Sequence, residues 1–134
     1  MTALGPRPNY LLPNWEIVVA PDGKSAHLKG RVLFPASDVT ISDRKHANVF
    51  HMIAVLWNAA HLLCAETGVS EPIATGVSAS NLAMILSPEV EYGITVDAVI
   101  QGIDRKGRRR GFIAAAFLHN DVVVDQVSGT FVAV

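Results

Sequence analysis

A chain of 134 residues, half of them hydrophobic, has the length of one compact domain with a sizeable core, and two independent domains would each be small. Eleven basic against twelve acidic residues leave a net charge of -1, so no overall field draws it to nucleic acid or to an anionic membrane. A lone cysteine, Cys64, makes no internal disulfide, which fits a reducing compartment and a cytoplasmic location.

Residues 1–14 carry Pro6, Pro8 and Pro13 and read as an extended lead-in that packs on the surface or on a neighbour. They lack the charged start and apolar run of a secretion signal. Trp15–Ala20 reads as a strand, Pro21-Asp22-Gly23-Lys24 as a tight turn, and Ser25–Phe34 as the returning strand of a hairpin. Pro35 stops that strand. A polar loop, Ala36–Lys45, then leads into a long apolar segment, with Ser42 or Asp43 placed to cap it.

His46–Thr67 is predicted to be one long helix with Gly68 as its C-terminal cap. At helical spacing Asn48, His51, Asn58, His61 and Glu66 fall within roughly 140° of the wheel, and apolar residues fill most of the rest. A helix apolar on nearly every side is expected to be buried, with its polar stripe facing a partner subunit, a ligand or ordered water. Three histidines and two asparagines argue against a membrane span.

After Gly68 the pattern changes to strands: Ile73–Leu86, Tyr92–Ile103, Gly111–His119 and Val122–Val134, the last three joined by the turns Asp104-Arg105-Lys106-Gly107 and Asn120-Asp121. Strand, strand, long helix and four strands imply an α+β class, with an antiparallel sheet curled around one central helix.

That order, with the connection Pro88–Gly93, the Asp104-Arg105-Lys106-Gly107 turn and the closing Ser128-Gly129-Thr130-Phe131-Val132, resembles the hot-dog fold family of acyl-thioester enzymes over about residues 15–134. Within that family the strand Gly30–Pro35, the His46-Ala47-Asn48 entrance and the Trp57-Asn58 pair look most like the mycobacterial-type long-chain fatty acyl-CoA thioesterases. Tyrosines that the family pattern puts near the site are not evident, and His61 is a candidate for one such place.

The resemblance implies a thioesterase acting on a fatty or polyketide-like acyl chain carried by coenzyme A or an acyl-carrier protein. It also implies a homodimer or a dimer of dimers, with sites at the subunit interface. Coenzyme A or phosphopantetheine would enter as part of the substrate, with no separate cofactor. For such chemistry a helix N-terminus near Ala47, Val49 and Phe50 offers unpaired N–H groups and a positive dipole end to the thioester oxygen. The Asn48 amide can orient a water or the carbonyl, and His46 can accept a proton. Asn58 and His61, one turn apart, can hold a water between them, with His51 in the same stripe and Trp57 beside it. Each has a plain structural alternative: Asn48 as a cap, His46 bonded to a loop carbonyl, His61 as a satisfied core histidine.

Arg105, Lys106, Arg108, Arg109 and Arg110 form a basic cluster on a strand turn, which reads either as a solvated hairpin tip or as a contact for coenzyme A phosphates or an acidic carrier protein. Arg105 and Arg108 are the candidates for that contact. Cys64 is expected to be a buried thiol, and the histidine spacing is a poor metal pattern. Two other functions fit the same fold. A dehydratase or hydratase of 3-hydroxyacyl thioesters would need Asp38, Asp43 or Glu66 beside a histidine, and a non-catalytic acyl-binding or assembly protein would need no chemistry at all.

Overall fold

The computed structural model describes residues 10–34, 49–69, 71–80 and 86–133; the side chains at 49–51 and 79–80 are not among the described features. The described elements are β1 (Glu16–Val19), β2 (Ser25–Leu33), α1 (Val49–Glu66), β3 (Ile73–Ser80), β4 (Glu91–Ile103), β5 (Arg109–His119) and β6 (Val122–Ala133). They form a six-stranded sheet in the order β1-β2-β4-β5-β6-β3, antiparallel at every pairing.

Local chemistry accounts for the hairpins. Asp22 Oδ1 accepts the Lys24 amide at 2.9 Å, and Gly23 takes the positive φ (70°) that closes the β1–β2 turn. Asp104 organises the β4–β5 turn: its carboxylate accepts the amides of Lys106 and Arg108 at 2.9 Å each and the Arg108 Nε at 2.8 Å. Asn120 and Asp121 both have positive φ (52° and 62°), the conformation of a tight two-residue turn between β5 and β6.

Alternation then selects the inner face. Leu28 and Val32 of β2, Ile94 and Val96 of β4, Ile113 and Phe117 of β5, and Val127 and Phe131 of β6 are buried, while His27, Lys29 and Arg31 point outward. Against this face α1 sets Met52, Val55, Leu56, Ala59, Ala60 and Leu63, all fully buried at helical spacing. The α+β class and the curled antiparallel sheet on a central helix are therefore as expected. No described helix is long and apolar enough to cross a membrane.

The helix ends as its sequence implies. Gly68 has φ 73°, and the Val69 amide reaches back to the Cys64 carbonyl at 2.9 Å, a Schellman closure with Val69 tucked into the core. Its expected start at His46 and the caps Ser42 and Asp43 lie outside the described residues.

Two expectations need correction. First, α1 is not buried all round: its own sheet covers one side, and Ile53, Ala54, Trp57, Asn58, His61 and Leu62 are only half-buried. A single sheet, even curled, reaches only part of a helix's circumference. Second, Leu86, the expected end of β3, is not a strand residue and is fully buried; β3 is described over Ile73–Ser80. Of the lead-in, residues 10–14 are described, and Tyr10 and Leu11 are buried. Leu12 N–H donates to the Arg31 carbonyl at 2.8 Å and Leu33 N–H to the Tyr10 carbonyl at 3.1 Å, so these residues prolong the sheet edge beyond β1.

Candidate functional site

Which end of the sheet faces the start of α1 follows from three contacts. The chain leaves α1 at Glu66 and enters β3 at Ile73, opposite Val132 near the end of β6. Thr67 and Val69, just past the helix, line a cleft of about 570 Å³ with Ile100, Gly102 and Arg109. Midway along, the Trp57 indole lies on the backbone of β6 at Gly129. Thus α1 runs in the same direction as β6. Val49 is eight residues before Trp57, a rise of about 12 Å, and Asp125 is four residues before Gly129, about 13 Å along the strand. The helix start and Asp125 are level.

Aromatic rings fill this end of the core. Tyr10 packs on Phe34 with ring centroids 5.2 Å apart, and Phe34 on Phe117 at 6.4 Å. Tyr92, also buried, stacks obliquely with His119 at 5.5 Å, and its hydroxyl accepts the Ser87 amide at 2.8 Å. Two tyrosines thus stand at the helix-start end although nothing in their sequence positions links them to it. Tyr10 lies in the lead-in and Tyr92 at the start of β4, and only the β2–β4 pairing brings them together.

Asp125 is the buried charged side chain among the described residues, with no exposure. Its Oδ1 accepts the adjacent Gln126 amide at 2.8 Å, and its Oδ2 has no hydrogen-bond partner. Burial pushes its carboxyl up to about 6, against the lowering effect of the Gln126 amide. A bulge sits beside it: Phe117 opposes Asp125 and Leu118 opposes Val123, leaving Val124 unpaired. Asp125 was missed in the sequence. Counting back by twos from Phe131 through Gly129 and Val127 puts it on the inner face, a signal obscured by the three valines before it.

Of the residues singled out in the sequence, His46, Ala47 and Asn48 lie outside the described residues, as do Asp38 and Asp43 and the side chains of Val49 and His51. Trp57, Asn58 and His61 share the half-buried side of α1, and Asn58 and His61 each already have an interaction partner. Glu66 is exposed at the far end of the helix. Cys64 is buried, and burial pushes its thiol up to about 11.

The basic cluster is not brought to the helix start. Its turn joins the end of β4 to the start of β5, at the C-terminal end of α1, one helix length of 18 residues or about 27 Å away. Arg108 is held by Asp104 in an ion pair of 2.8 Å, whereas Arg105 is exposed at the tip.

No protein-family model and no curated protein matches the chain. Solved structures do match it. A Lactococcus lactis protein, YhdA, described as a candidate thioesterase, superposes with a TM-score of 0.60 over 90% of this chain and 92% of its own, at 10% identity. A variant of a hypothetical thioesterase protein from Streptococcus pneumoniae gives 0.57 over 90% and 91%, at 12% identity. A variant of the phenylacetic acid degradation protein PaaI from Thermus thermophilus gives 0.53 over 90% and 93%, at 17% identity. Likeness at these identities is a likeness of fold, and the fold is the hot-dog fold.

Proposed function

We propose that this chain is a hot-dog thioesterase that hydrolyses a fatty or polyketide-like acyl thioester of coenzyme A or an acyl-carrier protein. The observation that carries the reading is the half-buried side of α1, where Ile53, Ala54, Trp57 and Leu62 flank Asn58 and His61, on a helix that also touches the edge strand β3. Apolar side chains there suit an acyl chain, and an amide and an imidazole one turn apart suit a thioester group and its attacking water. The thioesterase names among the structural neighbours support the same class.

In this reading the acyl carbonyl rests at the helix N-terminus, polarised by N–H groups near Ala47 and Val49 and oriented by Asn48. His46, Asn58 and His61 would position water, and His51 and Trp57 would line the chain's path. The edge of β3, which has no neighbouring strand among the described residues, supports a homodimer. An antiparallel pairing of β3 with its copy would cover the half-buried side of α1 and bring the partner subunit's basic turn level with this chain's helix start. Arg105 and Arg108 would then reach the coenzyme phosphates of the neighbouring site. That arrangement answers the separation of about 27 Å within one chain.

Incubation with acyl-CoAs and acyl-carrier proteins of graded chain length, reading free thiol and loss of water separately, tests the proposal. Thiol release that falls on Asn48→Ala supports it, and release unchanged by that substitution rejects the site. Loss of water without thiol would instead indicate the dehydratase or hydratase. Binding without either product would indicate an acyl-binding protein. Of the acids the dehydratase reading names, Glu66 is exposed at the wrong end of the helix.

A further inference from the structure

A carboxyl group buried without a partner weakens a fold, because its ionised form loses water and gains nothing in return. Asp125 is in that position, with Oδ2 bonded to nothing in a region of apolar and aromatic side chains. Its single bond, from the Gln126 amide to Oδ1, is a local contact that an uncharged Asn or Ser could make equally well. Packing therefore gives no reason for an acid at this position.

Its placement gives one. Asp125 lies on the inner face of β6, level with the first turn of α1, where the bulge at Val124 sets the strand's alternation. Among the described residues, the titratable side chains buried at this end are Tyr10, Tyr92 and Asp125, and Asp125 is the one able to act as a base near neutrality. The acid on the helix, Glu66, is at the opposite end.

We propose that Asp125 is the general base of the hydrolysis, its free Oδ2 taking a proton from the water that attacks the acyl carbonyl carbon. This rests on the thioesterase reading above. The water oxygen bonds to the carbonyl carbon, the C–S bond breaks, and Asp125 returns the proton it took to the departing sulfur. The products are the free acid and the thiol, and Asp125 is again a carboxylate. The upward displacement of its carboxyl to about 6 places it where a base is mostly ionised at neutral pH yet still accepts a proton readily.

The test compares the intact chain with Asp125→Asn, following thiol release across pH together with thermal unfolding. Loss of the base is expected to lower kcat by about 100-fold or more, leave KM within about threefold, and remove the acid limb of the pH profile, with no loss of stability. Should Asp125→Asn fail to fold, Asp125→Ser, which keeps an oxygen for the Gln126 amide, is expected to be inactive and to regain turnover with added formate. Full turnover in a folded variant overturns the proposal. So does a flat wild-type profile of kcat/KM from about pH 5 to about pH 8, which needs no variant. An unsubstituted chain that cleaves no thioester overturns the thioesterase reading and this assignment with it. An active chain indifferent to residue 125 overturns this assignment alone.

Discussion

The Trp57 indole lies against the backbone of Gly129, so that a Cβ added at residue 129 would stand 3.0 Å from Cζ2 of the ring and 2.8 Å from the Gly76 carbonyl oxygen. This contact joins the middle of α1 to β6 and β3 and sets how far the helix start projects toward Asp125. Gly129→Ala is expected to lower stability by about 1–3 kcal/mol through overpacking. Replacing Trp57 with Leu in the same chain should recover only part of that loss, because the Gly76 carbonyl remains. A double-mutant cycle in denaturant unfolding reads the coupling.

Asp125 gives the pH dependence of stability a definite sign. Its folded carboxyl, pushed up to about 6, holds a proton where the unfolded group, at its ordinary 3.8, has released one. Between those two values the folded state binds more protons, so stability contributed at this position falls as pH rises and levels off above about 6. Chemical denaturation of the parent and of Asp125→Asn at several pH values should show the variant gaining on the parent across that window. Parallel curves would contradict the burial of an ionising group there.

The Cys64 thiol combines burial with an upward displacement to about 11. At pH 8 almost none of it is thiolate, and access to it requires opening of the core. Alkylation followed by mass spectrometry should therefore be slow in the native chain and immediate after unfolding.

Strand β3 carries Ile73 and Val77 exposed at 58% and 41%, on a sheet edge with no neighbouring strand among the described residues. If two copies pair there, Val77→Lys should turn a dimer into a monomer in sedimentation equilibrium and remove thioester turnover with it. A dimer that persists in the variant would place the interface elsewhere.

For the basic turn the prediction is selective. Arg105→Ala is expected to raise KM for an acyl-CoA by about tenfold, the effect of one charge-assisted phosphate contact, and to leave KM unchanged for the corresponding acyl-N-acetylcysteamine, which has no phosphate. Steady-state kinetics on both substrates decides it. Arg108 should behave differently, since removing it also breaks the ion pair with Asp104 that shapes the turn.

Much of the fold was legible residue by residue. Alternation over Tyr92–Ile103, the Asp22-Gly23 and Asp104–Gly107 turns and the Gly68 cap are short-range matters, decided by side chains within a few positions of one another. The hairpins, the helix and the antiparallel class follow from these. Among the described site residues, Asn58 and His61 were marked by being polar on an apolar helix. Asp125 was not, because three valines precede it and its direction depends on which residue of β6 the β5 partner leaves out.

Local periodicity by itself determined the element types, their order and the polar stripe on α1, since backbone dihedrals and side-chain spacing act over a few residues. Tertiary structure alone decided that the sheet covers only one side of the helix, that Tyr10 and Tyr92 gather at its start, that the basic turn stands at its far end, and that Asp125 points inward beside an unpaired Val124. Each of these depends on pairings between residues tens of positions apart, and a single skipped residue reverses the face a side chain occupies.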